Sequence, residues 1–326
     1  MKVNYGGFFR KEQSAEIPLK RELNRSVVWY GMEWKIPAAY LCKEGIVLDL
    51  CRSVPKEILE AYYKKWKPLL EKEEVDPGQE AQIKRENPFA RDYTATLTVD
   101  GKIYERERLS SMAWYGLGKE EANSQEAEEL MEAYSCDRCR AWQFDRISFP
   151  WPEGKAEEAE VLSVTLKALP VYYEGVPRFV TKPGCGCQQV QIQNPVGISC
   201  RIEIKGCEAS VLKEEMCREG MEWPRQFQIL TYEIQDWDGG EAVGDKAVRP
   251  VIRDCRMSDE PRKKAEGTSG GAIGVSVFAV KEKHGDSGEE TVCSSLHFEP
   301  QDETEWMVLF PKVEASEKTI FLTGQE

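Results

Sequence analysis

The chain has 326 residues, room for a large buried core and, by length alone, about two domains. Its 44 Lys and Arg against 57 Asp and Glu leave a formal charge of −13, which repels a phosphate backbone or an anionic bilayer over most of the surface. The densest basic run is only Arg262-Lys263-Lys264. Neither nucleic acid nor membrane is therefore an expected partner.

The first twenty residues lack the apolar stretch of a secretory signal, and the longest apolar run, 271–280, is too short to cross a bilayer. Eleven cysteines are an odd number for a fully bridged secreted protein. Reduced thiols in the cytoplasm are the expectation, with Cys42, Cys51, Cys200 and Cys293 acting as small apolar residues inside strands.

In chain order, 36–54 reads as a hairpin around Lys43-Glu44-Gly45, with Gly45 free to take a left-handed conformation and Ile46, Leu48 and Leu50 on one face. Residues 53–74 read as a helix with Ser53 as its cap and Pro55 in its first turn. Ile58, Leu59, Tyr62, Trp66, Leu69 and Leu70 form its buried stripe, and Pro68 kinks or breaks it near the end. A second hairpin spans 92–109 and turns at Asp100-Gly101, the pair a type I′ turn prefers. A second helix starts near Asn123, with Glu126 completing a capping-box spacing and Ala127, Leu130, Met131 and Tyr134 on one stripe.

Pro150, Pro152 and Gly154 followed by a polar run mark a boundary, dividing the chain into 1–152 and 153–326. Beyond it the signal is almost all strand. Leu162, Val164, Leu166 and Ala168 alternate; 200–212 turns near Lys205-Gly206; Leu230, Tyr232 and Ile234 alternate; 272–280, 291–300 and 305–311 complete the set. Residues 238–270 read as a long polar loop. The fold class is a β-rich α+β protein: an N-terminal mixed lobe of hairpins and two helices, then a C-terminal antiparallel β-sandwich.

Several short motifs invite chemistry. Gly285-Asp286-Ser287-Gly288, just behind His284, resembles the nucleophile signature of chymotrypsin-like proteases. That chemistry needs an upstream histidine as base, and the only histidines are His284 and His297. The glycine that closes the signature is Glu289 here, so a bend between strands fits better. Gly267-Thr268-Ser269-Gly270-Gly271 matches G-x-S-x-G but precedes a strand, the reverse of a nucleophile elbow.

Cys136 and Cys139 carry the two-residue gap of a zinc knuckle, and Cys185 and Cys187 offer two more thiolates to close a tetrahedral site. Reduced, unliganded cysteines are the plainer account. Asp236, Asp238 and Glu241 fail the EF-hand pattern, with Gly240 and Ala247 where ligands belong. Trp29, Trp34, Trp114, Trp142 and Trp151 suit either an aromatic ligand platform or a core.

The leading expectation is a non-enzymatic cytoplasmic binding or assembly protein with no cofactor. Its partner is left open between a protein, a small molecule, a carbohydrate and a further copy of itself. The alternatives are a carboxylate-based hydrolase acting on a carbohydrate, which needs two carboxyl groups about 5–10 Å apart in a cleft, and a zinc-stabilised structural protein.

Overall fold

The computed structural model describes residues 3–8, 18–72, 75–116, 125–151, 162–195, 197–214, 217, 221–237, 242–243, 246–263 and 288–323. Among them lie three helices and 21 strands, and every strand pair is antiparallel. The protein is β-rich α+β. No described helix is long and apolar enough to cross a membrane. The chain forms two compact units: Met1–Pro68, Arg85–Pro170 and Val313–Glu326 in the first, Leu69–Lys84 and Val171–Lys312 in the second.

The first unit begins with β1 (Leu19–Trp29), β2 (Met32–Leu41) and β3 (Gly45–Pro55). The β1–β2 turn uses Tyr30 and Gly31, both at positive φ (53° and 74°), as a type I′ turn requires. Gly45 has another role than the one expected of it. It lies inside β3, where a side-chain carbon would come 2.0 Å from the Phe149 carbonyl oxygen, so close strand approach requires the glycine.

Helix α1 (Lys56–Leu70) buries Leu59, Tyr62 and Trp66 but leaves Ile58 and Leu70 exposed, a narrower stripe than the pattern suggested. Ser53 does not cap it. Ser53 belongs to β3, and its hydroxyl accepts a hydrogen bond from Arg140 Nε at 2.9 Å. Pro68 stands two residues before the helix end. Helix α2 (Pro77–Glu86) was not anticipated, because its only buried large apolar side chain is Ile83. Its start is nonetheless well specified: the Asp76 carboxylate accepts from the Gly78 and Gln79 amides, with Pro77 in the first turn.

After α2 come β4 (Tyr93–Val99), β5 (Lys102–Glu105), β6 (Arg108–Trp114), α3 (Gln125–Ala133), β7 (Arg140–Pro150) and β8 (Leu162–Ala168). Asp100 and Gly101 have φ of 46° and 82°, so the expected I′ turn joins β4 to β5. The chain then leaves that sheet at Arg106-Glu107, and β6 pairs with β7 instead. The Asn123 cap lies outside the described residues; Ala127, Leu130 and Met131 of α3 are buried as expected. One sheet runs β1-β2-β3-β7-β6; the other joins the C-terminal strand Lys318–Phe321 to β8, β4 and β5. Pairing with β4 is what places β8 in the first unit, beyond the expected division at 152. Strand β3 is buried on both faces, so both of its side-chain rows must be covered.

The second unit has two four-stranded sheets. Thr304–Lys312 pairs with Phe179–Thr181, Val251–Asp254 and Val171–Glu174; the other sheet runs Gln188–Gln193, Ser199–Val211, Gln226–Gln235, Glu290–Cys293. Both sheets contribute to one apolar cluster, including Ile202, Ile204, Leu230, Ile252, Trp306, Val308 and Phe310.

Two expectations change here. Lys205-Gly206 is no turn: Ser199–Val211 runs through it with a bulge, and Lys205 reaches Glu203 and Glu233 at 2.7 and 3.2 Å. The region read as a polar loop carries the strand Val251–Asp254, with Ile252 fully buried. The expected strand 272–280 lies outside the described residues.

Candidate binding site

The chemistry of the first unit is set by charges placed inside its most buried strands. In the β3–β7 register Asp49 opposes Arg146 and Leu50 opposes Asp145, while Arg52 opposes Gln143. Residues directly opposite share a face and successive residues alternate. The two strands therefore carry one Asp–Arg pair on each face, with the signs exchanged: Asp49–Arg146 on one side, Arg52–Asp145 on the other.

The first pair is sealed. Arg146 donates from Nε and Nη2 to the two Asp49 oxygens at 2.7 Å each, a bidentate fork. Tyr134 Oη donates to Asp49 Oδ2 at 2.5 Å, and Tyr40 Oη lies 2.8 Å from Tyr134 Oη. Phe8 lies under the guanidinium at 4.3 Å. On the same face Cys51, Trp142 and Phe144 pack with Ala127, Leu130 and Met131 of α3. Burial, then the Asp49 charge, push the Tyr134 hydroxyl far above the ordinary tyrosine range. Burial disfavours the Arg146 charge, but the Asp49 hydrogen bonds and charge outweigh it and raise its pKa.

The second pair borders a cavity. Arg52 Nη2 lies 2.9 Å from Asp145 Oδ2, with side-chain exposures of 4% and 0%. Tyr93 Oη donates to the same oxygen at 2.9 Å, and Ser111 Oγ donates to Oδ1 at 2.6 Å. Arg52 Nη1 donates to the carbonyls of Phe89 and Arg91 at 3.2 and 3.0 Å, and its guanidinium lies 5.0 Å from the Trp34 ring and 5.4 Å from the Tyr93 ring. The Arg52 Nε–H is buried without a hydrogen-bond acceptor. Burial, then the Asp145 charge, hold the Tyr93 hydroxyl well above its usual range.

A cavity of about 330 Å³ opens beside this cluster. Its polar lining includes Arg52, Arg91, Arg106, Ser111, Gln143, Asp92 and Asp145. Its apolar lining includes Phe89 and Tyr115, whose rings stack at 5.6 Å with 14° between planes, together with Leu109 and Leu169. Arg91 donates to the Arg85 carbonyl at 2.8 Å and lies over Tyr30; Arg106 donates to the Tyr93 carbonyl at 3.3 Å. Such a site suits the binding of a small, partly polar molecule, being at the lower end of ligand-pocket size.

Comparison with protein-family models, with curated proteins and with solved structures finds no match for this chain.

The residues singled out in the sequence fall elsewhere. Cys136 is half-buried, its thiol pushed up to about 11 by burial, and Cys139 is exposed; both belong to the first unit. Cys185 packs partly against the second unit's core, and Cys187 is exposed with Sγ 3.8 Å from a Glu203 oxygen. Among the described residues no group of three or more His, Cys, Asp and Glu is placed to hold a metal ion.

Ser287, His284 and Ser269 lie outside the described residues. His297 is buried, with Nδ1 3.5 Å from Asp259 Oδ1. Asp236 pairs with Arg201 at 2.6 Å. Trp29, Trp34, Trp114 and Trp142 are core residues, and Trp151 donates to the Cys42 carbonyl at 2.7 Å. The cavity residues went unnoticed in the sequence, although charged residues inside the apolar runs of β3 and β7 were a usable signal.

Proposed function

We propose that the protein is a non-enzymatic, cytoplasmic binding protein that takes a small molecule into the cavity beside Arg52 and Asp145. The observation that supports this reading most directly is the meeting of three arginine side chains and a stacked aromatic pair around one cavity. Arg52 is held rigid by Asp145 and two carbonyls, so the site is organised before anything enters it. Eleven unbridged cysteines and the acidic balance support a cytoplasmic setting without nucleic acid. The shared core of the second unit's two sheets supports reading that unit as a β-sandwich.

The hydrolase alternative draws on Asp92 and Asp145 lining the same cavity. Asp145, however, already meets Arg52, Tyr93 and Ser111, which leaves it a poor proton donor or nucleophile. The zinc alternative rests on cysteine pairs that belong to different units; stoichiometric zinc in the purified chain would support it.

The test is a ligand-observed NMR screen of small polar compounds against the native protein and Leu109→Trp, which places a large ring at the cavity lining. Compounds that bind the native chain and lose binding in the folded variant support the proposal. A screen in which every compound that binds does so equally well in the variant overturns it.

A further inference from the structure

We infer that the cavity is built for an organic oxyanion, a carboxylate or phosphate carried on a small apolar body. This inference rests on the binding reading above. Three arginines line the cavity against two aspartates, on a chain whose net charge is −13. A positive cavity on an acidic protein runs against its average surface.

The arginines differ in how they are satisfied. Arg52 is neutralised by Asp145, at 2.9 Å. Arg91 and Arg106 have no carboxylate within ion-pair distance among the described residues; each donates only to a backbone carbonyl, at 2.8 and 3.3 Å. Two partly buried guanidinium groups outside any such ion pair, against Asp92 as the remaining carboxylate of the lining, leave the cavity with a net positive charge. A planar fork matches a carboxylate or phosphate oxygen pair in a way that an ammonium does not. The third observation is independent: Arg52, only 4% exposed and part of the same lining, has an Nε–H with no acceptor.

The apolar body has its own counterpart in Phe89, Tyr115, Leu109 and Leu169. A volume of about 330 Å³ has room for a single ring bearing its anionic group.

The test uses the full chain and three probes of matched shape: benzoate, phenyl phosphate and the neutral benzamide, titrated by calorimetry. Benzoate or phenyl phosphate should bind at least about tenfold more tightly than benzamide, and the affinity should fall as salt is raised. The tighter of the two anions names the group for which the site is shaped. Arg91→Ala and Arg106→Ala should each weaken the anion about tenfold, with Arg91→Lys and Arg106→Lys recovering part of the loss. Circular dichroism checks that each variant is folded.

Benzamide binding as tightly as the anions would overturn the oxyanion assignment and leave the binding reading standing. Anion binding that is unchanged in both alanine variants would place it elsewhere and overturn the inference as well. Absence of binding by either anion up to about 10 mM also overturns it; the binding reading is then judged by the Leu109→Trp screen alone.

Discussion

The two faces of the β3–β7 strand pair carry the same chemistry in opposite settings. On one face Asp49 and Arg146 are closed in by two tyrosines, Phe8 and the neighbouring helix. On the other, Arg52 and Asp145 are equally buried but border a cavity with further arginines. An ion pair removed from water repays its desolvation only when its remaining hydrogen-bonding sites are also met. On the sealed face Tyr134 donates to Asp49, and Tyr40 in turn meets Tyr134. The other leaves the Arg52 Nε–H without an acceptor and borders a cavity, and it is on that face that a ligand is proposed.

The largest effect should come from breaking the sealed pair. Asp49→Ala leaves Arg146 charged with its bidentate partner gone, and should cost about 3–5 kcal/mol in urea unfolding. Asp145→Ala removes the corresponding partner of Arg52, but there the cavity lets water approach the freed guanidinium. Its cost should be smaller by about 1 kcal/mol or more. Equal costs would break the comparison between the faces.

Alkaline pH tests both faces at once. Tyr93 and Tyr134 have folded-state pKa values raised by burial above the ordinary 10.0. In the unfolded chain they ionise near 10.0, whereas in the folded chain they stay protonated. Their contribution is thus fully present below pH 10 and declines as pH rises beyond it, by about 1.4 kcal/mol per pH unit for each tyrosine. Urea midpoints measured from pH 9 upward should show this, and Tyr93→Phe and Tyr134→Phe should each remove one share of the slope.

At neutral pH, Tyr134→Phe deletes one donor to Asp49 and strands the Tyr40 hydroxyl, so unfolding should cost about 1–2 kcal/mol less than in the native chain. The smallest effect belongs to Arg91→Ala, which loses its bond to the Arg85 carbonyl and should cost no more than about 1 kcal/mol in stability while weakening anion binding. A large loss of stability there would make Arg91 a structural residue and erase the distinction between the faces.

Much of the architecture was legible because it follows local rules. The alternation of Leu162, Val164, Leu166 and Ala168 and the Asp100-Gly101 turn depend on near neighbours, and both are found. What depended on distant partners was not legible. Ser53 looked like a helix cap until β7 supplied Arg140 as its donor, and Gly206 looked like a turn until a paired strand made it a bulge. Helix α2 went unread because a capping aspartate and a proline define it more than apolar spacing does. The site belongs to the same class: Arg52, Arg91, Arg106 and Asp145 span nearly a hundred residues of sequence and meet only once β3, β6 and β7 are paired. Cysteine spacing attracted notice because it is a short-range pattern, and the cavity has none.

The crossed placement of four charges also bears on how the chain finds its alignment. If β7 slid by one residue along β3, Asp49 would stand against Asp145 in one direction or against Ile147 in the other. The first outcome sets two carboxylates side by side in a dry interior, and the second leaves a charge with no counterpart. Hydrophobic residues alone would tolerate such an error poorly but silently; the charges make it prohibitive. Asp49, Arg52, Asp145 and Arg146 thus mark one alignment at the centre of the sheet, the one in which every buried charge meets its opposite.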